Sequence, residues 1–442
     1  MRGKKFSIGL RALAIFAVTL LVTSTWAATN WKEKVLLNFS GTDGSNPVVG
    51  LIFDAAGNLY GTTGRGGAYG YGTVFELTPN GSGGWTETVL YNFCSQTNCT
   101  DGAIPSASLI LDAAGNLYGT TWAGGTGSAT FCTAPGPNCG TVFELTPSGE
   151  ETVLYNFCSQ TNCTDGANPS ASLIFDGAGN LYGTTQNGGT YSSGTVFGLT
   201  PIGGGNWAET VIHSFCSEAN CADGMYPWAG LIFDATGNLY GTTYLGGTYG
   251  AGTLFELSPN GSGGWTETVL HNFGNYGTDG EFPHFGVLIF DAAGNLYGTT
   301  YLGGTYDGGT VFELTPTGGG RWTEAVLYSF GNGTDGAQPL AGLIIDAAGN
   351  LYGTTGGGTN GDGTVFELTP AGGGAWMEQV LHDFGNGTDG VGPDGSLIFD
   401  AEGNLYSTTG YGGTYGDGTV FELTPILTHV YPCAVCGHGA LQ

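Results

Sequence analysis

The sequence predicts an all-β fold, a seven-bladed β-propeller built from four-stranded antiparallel blades. Three observations lead there: a seven-fold tandem repeat, four strand-like segments in each repeat, and a lone fourth segment at the N-terminus. Three phrases recur in fixed order. LIFDAAGNLYGTT places its Gly-Asn-Leu-Tyr core at Gly57, Gly115, Gly179, Gly237, Gly294, Gly349 and Gly403, at spacings of 58, 64, 58, 57, 55 and 54 residues. GTVFELTP ends at Pro79, Pro147, Pro201, Pro259, Pro316, Pro370 and Pro425. W-x-E-x-V-L-x-x-F begins at Trp85, Trp207, Trp265, Trp322 and Trp376, persists without its Trp as Glu151 to Phe157, and stands first, alone, as Trp31 to Phe39.

Residues 1–27 read as a secretory signal peptide. Arg2, Lys4 and Lys5 make a basic start, Leu13 to Val22 is an apolar run too short to span a bilayer, and Thr25-Trp26-Ala27 offers small residues for cleavage. The expected mature chain has no further apolar segment, so no membrane span. It keeps four basic against 36 acidic residues, a net charge near −32, which repels phosphate backbones and anionic membranes. Nucleic acid is therefore excluded as a partner.

Within each repeat, Leu-Ile-Phe turns through Asp-Ala-Ala-Gly-Asn into Leu-Tyr-Gly-Thr-Thr, a hairpin whose Gly supplies positive φ. Thr-Val-Phe-Glu-Leu then turns through Pro and glycines into the W-x-E-x-V-L-x-x-F strand, rich in β-branched and aromatic residues. Four strands per unit of roughly 55 to 60 residues fit a propeller blade. The seventh unit stops at Pro425 without its fourth strand. Residues 31–39 supply the missing copy, so the propeller spans 28–425 and closes on itself, leaving 426–442 as a C-terminal tail.

LIFDAAGNLYGTT followed by GTVFELTP resembles the GloVer tandem-repeat family of secreted bacterial proteins, over nearly all of Trp31 to Pro425. That resemblance implies a propeller-like repeat fold and export from the cell. It implies no activity.

Ten cysteines in an exported chain suggest five disulfides. Cys94/Cys99, Cys158/Cys163 and Cys216/Cys221 share one slot, where the loop after the fourth strand is longest. Cys132 and Cys139 bracket an insertion, and Cys433 and Cys436 form a local pair in the tail.

In a four-stranded meander, the inter-blade loops and the loops between second and third strands share one face, which here carries the variable sequence. Loops on a rigid scaffold are where binding residues collect. Two candidate sets lie there. Asp43, Asp101, Asp165, Asp223, Asp279, Asp335 and Asp389 each precede Gly in an inter-blade loop and are expected to ring the channel mouth. They suit Ca²⁺, or else simple Asx-type turns. Tyr69, Trp122, Tyr191, Tyr244, Tyr249, Tyr301, Tyr306, Tyr411 and Tyr415 suit sugar stacking, or else packing between blades.

His284 is the one histidine in an unusual setting, and Asp394 is among the carboxylates outside the repeat. No catalytic triad, zinc motif or phosphate loop is evident, so no catalytic residue is assigned and the pattern points away from an enzyme. The expectation is a secreted, monomeric, non-catalytic propeller that binds a polysaccharide or surface protein through its variable loop face, in the periplasm, at the cell surface or outside the cell. The competing reading is a metal-assisted lactonase or glycan-cleaving hydrolase or lyase at the channel mouth.

Overall fold

The computed structural model describes residues 30–426, apart from 130, 131, 133–137 and 276. Strands dominate the described residues, and the only helical turns there are three short 3-10 segments, Thr97–Cys99, Thr161–Cys163 and Ala219–Cys221. No described helix is long and apolar enough to cross a membrane. Seven antiparallel sheets follow one another around a ring. Blade 1 runs Ile52–Phe53, Leu59–Thr63, Thr73–Pro79 and Trp85–Asn92 from inside to outside. Each later repeat builds the same sheet.

Blade 7 is Ile398–Phe399, Leu405–Thr409 and Thr419–Ile426, completed by Asn30–Asn38. The closing pair is antiparallel with Trp31 opposite Pro425 and Asn38 opposite Thr419. Its register matches that of Trp85 opposite Pro79 and Asn92 opposite Thr73 in blade 1. The expected closure is what forms.

Burial between blades holds the ring. Each fourth strand ends in a Phe that meets the Phe of Thr-Val-Phe-Glu-Leu in the next blade, their ring centroids 4.9 to 5.1 Å apart. Seven such pairs mark seven seams, each inside an apolar cluster shared by two neighbouring blades. The closure seam, with Phe39 against Phe75, is built like the other six. Full burial of one such ring is worth roughly 1.5–3 kcal/mol, so seams outweigh any single turn.

The hairpin turn is set by its aspartate. Asp54 Oδ1 accepts from the backbone N–H groups of Ala56 and Asn58, and Oδ2 accepts from Asn58 Nδ2 and the Tyr60 hydroxyl. Burial would raise this carboxyl, but the donors outweigh it and hold it below the usual carboxylate value. The repeat aspartates are therefore structural.

Candidate functional site

The upper face gathers the loops the sequence pairs. Inter-blade loops bridge to the loops between second and third strands at Ser45 with Arg65, Ala167 with Asn187, Met225 with Leu245, Ala337 with Gly357 and Val391 with Tyr411. Blades 2 and 5 make the same link with short strands, Ala103–Pro105 and Gly280–Glu281. Four described disulfides form on this face, at Cys94–Cys99, Cys132–Cys139, Cys158–Cys163 and Cys216–Cys221. The expected signal peptide and the expected Cys433/Cys436 pair lie outside the described residues.

None of the loop aspartates lines the cavity at the mouth. Six of the seven pair with a Tyr or His of the fourth strand, and Asp43 takes the Ser40 N–H instead. Asp101, fully buried, accepts from the Tyr91 hydroxyl, from the backbone N–H and hydroxyl of Ser95 and from Gln96 N–H. Asp165 repeats the pattern with Tyr155 and Ser159, and Asp223 with His213 and Ser217. Against the cost of burial, those donors pull Asp223 down to about 2. Asp335 and Asp389 pair with Tyr328 and His382, while Asp43 caps Ser40. The placement is physical: the carboxylate lies where unpaired loop N–H groups converge, beside the outer strand. At Asp279 the partner is His271, 3.3 Å away, and one Glu324 oxygen joins them with all three ligand atoms within 4.8 Å of one another.

The predicted aromatics split into two groups. Tyr69, Tyr191, Tyr249, Tyr306 and Tyr415 crown the loop tips and are 47–65 % exposed. Those tips are tied to the ends of the outer strands, as by Thr248 N–H on Asn272 Oδ1, so the tyrosines form a wide outer circle. Tyr411 is also exposed. Trp122, Tyr244 and Tyr301 instead follow the Gly-Thr-Thr of their second strands, and of the three Trp122 lines the cavity at the mouth. The other blades carry Gly64, Gln186, Gly356 and Gly410 at this position.

A cavity of about 280 Å³ occupies this mouth, and all seven blades line it. Its wall is the segment after each inter-blade Pro: Val48, Ser106, Ser170, Trp228, Leu340 and Asp394, with Phe285 in blade 5. A left-handed residue precedes the Pro and fixes each segment. Ile104 (φ 59°) and Tyr226 (φ 59°) donate N–H to the previous blade at Tyr71 and Ser193. The carbonyl of Tyr226 then accepts from Tyr244 N–H. This backbone is strained for non-glycine residues, and the bonds on both sides hold it. Threonines of the second strands add a clamp to the next blade, such as Thr184 on the Ala229 carbonyl at 3.1 Å.

Blade 5 breaks the pattern. It has one extra residue between its Pro and Leu, Pro283-His-Phe-Gly-Val-Leu288 against Pro227-Trp-Ala-Gly-Leu231. Phe285 is thereby left 45 % exposed at the mouth, and Thr242 of blade 4 has no hydrogen-bond partner among the described residues. Trp228 stacks on Tyr244 (centroids 4.0 Å, planes 12° apart) and, offset, on Phe285 (5.8 Å, 21°). His284 stands edge-on to all three rings, and burial lowers it to about 4, so it is neutral. Trp122 donates its Nε1–H to Gln186 at 3.2 Å.

Polar atoms at this mouth go unused. Ser106 Oγ, Ser170 Oγ and Trp228 Nε1 have no hydrogen-bond partner among the described residues. Asp394 has no side-chain partner either, and burial lifts its carboxyl to about 6. Of the residues at or near the mouth, Trp122, Tyr244, Tyr301, His284 and Asp394 stand out in the sequence. Trp228, Phe285, Gln186 and the serines were missed, though the segment after each inter-blade Pro varies in a chain otherwise repetitive.

Comparison with solved structures finds distant likenesses. The chain is similar to a structure titled as the extracellular domain of a one component system from B. thetaiotaomicron, at a TM-score of 0.52 and 11% identity over 89% of this chain. It spans 40% of the length of that neighbour. It is also similar to a protein titled as a 6-phosphogluconolactonase from Bacteroides uniformis, at a TM-score of 0.47 and 15% identity, over 79% of this chain and 88% of that one. The first of these likenesses shows the fold alone. Comparison with curated proteins finds no match. The family model of the Gloeobacter/Verrucomicrobia repeat matches residues 20–160, 132–330 and 262–434. Those matches cover well over half of the sequence, and the chain belongs to the Gloeobacter/Verrucomicrobia repeat family.

Proposed function

We propose that this protein is a secreted, non-catalytic propeller that binds a polysaccharide at its channel mouth. One observation carries the reading: the mouth is where a seven-fold frame becomes unequal. Blades 2 to 5 put Trp122, Gln186, Tyr244 and Tyr301 where blades 6, 7 and 1 have glycine. The cavity there has a lining that mixes aromatic rings (Trp122, Trp228 and Phe285) with serines, Gln186 and Asp394. Sugars need that combination, an apolar ring face to stack on and polar atoms for hydroxyls. A volume of about 280 Å³ suits one or two sugar units better than a flat protein surface.

Disulfides favour an oxidising compartment, which supports export. Asp394 is the one ionisable side chain lining the cavity, whereas glycoside cleavage uses a pair of carboxylates. That supports binding over catalysis.

Calorimetric titration with a panel of oligosaccharides tests the proposal. Phe285→Ala and Trp228→Ala should each weaken binding about tenfold, the effect of about 1.4 kcal/mol of lost stacking. Tyr249→Ala and Tyr306→Ala, on the outer circle, should leave it unchanged. Binding that ignores the mouth substitutions and follows the outer tyrosines would refute the site.

A further inference from the structure

Resting on the polysaccharide reading above, we infer that the saccharide accepted by this mouth carries a protonated amine, and that chains bearing uronate or sulfate groups are refused. Asp394 is the pivot. It lines the cavity in blade 7, its carboxylate accepts no hydrogen bond among the described residues, and no described Lys or Arg lines the cavity with it. Arg65, in the adjacent loop of blade 1, stays outside the lining. A partly buried carboxylate without donors or counter-ion is costly, and a cationic group on the ligand removes that cost.

The carboxylate faces the cavity, as part of its lining. Gly410 sits beside it, and blades 1 and 6 likewise carry glycine, Gly64 and Gly356, where blades 2 to 5 carry Trp122, Gln186, Tyr244 and Tyr301. Across the ring from blade 7 stand Trp228 of blade 4 and Phe285 of blade 5. A pyranose laid on that aromatic side presents its substituents towards Asp394. The π-rich wall also favours a cation over an anion.

The whole molecule leans the same way. Its described residues hold 36 acidic and four basic side chains, Lys32, Lys34, Arg65 and Arg321. The field this creates draws cations and repels polyanions, most strongly at low salt. Surface charge alone would attract any polycation loosely. Asp394 converts that attraction into a position.

The test compares glucosamine oligomers, the same oligomers fully N-acetylated, and oligogalacturonates of equal length, by calorimetry at pH 6.5, where the glucosamine amines are substantially protonated and the Asp394 carboxyl, lifted to about 6, is largely ionised. The glucosamine oligomers should bind at least about tenfold more tightly than the acetylated ones, corresponding to 1.4 kcal/mol or more. The oligogalacturonates should not bind. Asp394→Asn, checked for an unchanged melting temperature, should erase the preference, so that amine and acetylated oligomers bind the variant alike. In the unaltered protein, added salt should weaken the amine ligand and spare the acetylated one. Equal binding of amine and acetylated oligomers overturns the inference and leaves the polysaccharide site standing. A preference that survives Asp394→Asn reports surface charge only and also overturns it. No binding by any saccharide in the panel refutes the polysaccharide reading itself, and the inference with it.

Discussion

At the residue scale, Gly183 shows a glycine chosen for room rather than for φ. A Cβ there would lie 2.8 Å from Phe197 Cζ and 3.0 Å from Leu173 Cδ2, and five other blades crowd this position equally. Blade 7 alone has Ser407, whose hydroxyl donates to the Gly395 carbonyl at 2.9 Å. Gly183→Val should therefore destabilise the protein by roughly 1–3 kcal/mol through overpacking. Gly183→Ser, which copies blade 7, should cost less. Urea unfolding of both variants gives the comparison. That glycine is legible in Leu-Tyr-Gly-Thr-Thr because it repeats. Trp228 and Phe285 were not, because a ligand wall is made of residues that break the repeat, about a blade apart in the chain.

At the scale of elements, the seams carry a pH dependence that the sequence hides. The glutamate of each W-x-E phrase crosses to the loop aspartate of the seam, and all seven have a buried oxygen without a partner among the described residues: Glu33, Glu87, Glu151, Glu209, Glu267, Glu324 and Glu378. Burial, then the neighbouring aspartate, lifts Glu87 to about 7 and Glu151 to about 8. Glu209, Glu267 and Glu378 follow suit, at about 7, 8 and 7. These folded values exceed the unfolded one, near 4.5. Their contribution is therefore full below about pH 4.5 and is lost as pH rises through 7 to 8. The hairpin aspartates act oppositely, losing stability only as pH falls below the ordinary aspartate value. The melting temperature should thus be highest near pH 5 and fall towards pH 9. Glu267→Gln should flatten part of that fall; an unchanged slope in this variant, or a melting curve that rises with pH, would contradict the seam account. The aspartate positions were readable from their repetition. Their pairing was not, since it depends on the outer strand that supplies Tyr91 or His213 as donor.

For the whole molecule, closure decides everything else. The count of strand phrases made the ring legible, because seven units left one strand missing at one end and one spare at the other. The mouth exists only if blade 7 and blade 1 meet, since Val48 and Asp394 face the same cavity. Phe39→Ala should cost roughly 3–5 kcal/mol, as any large cavity in a core does, although Phe39 sits at the start of the described chain. Hydrogen exchange read by mass spectrometry over residues 30–39 tests the closed ring most directly. Phe39 N–H donates to the Gly418 carbonyl at 3.0 Å and the strand before it pairs along Thr419–Ile426. The segment should be protected as strongly as its counterpart, residues 207–215 of blade 3. Exchange at the rate of an unstructured chain would mean an open array with no sealed mouth.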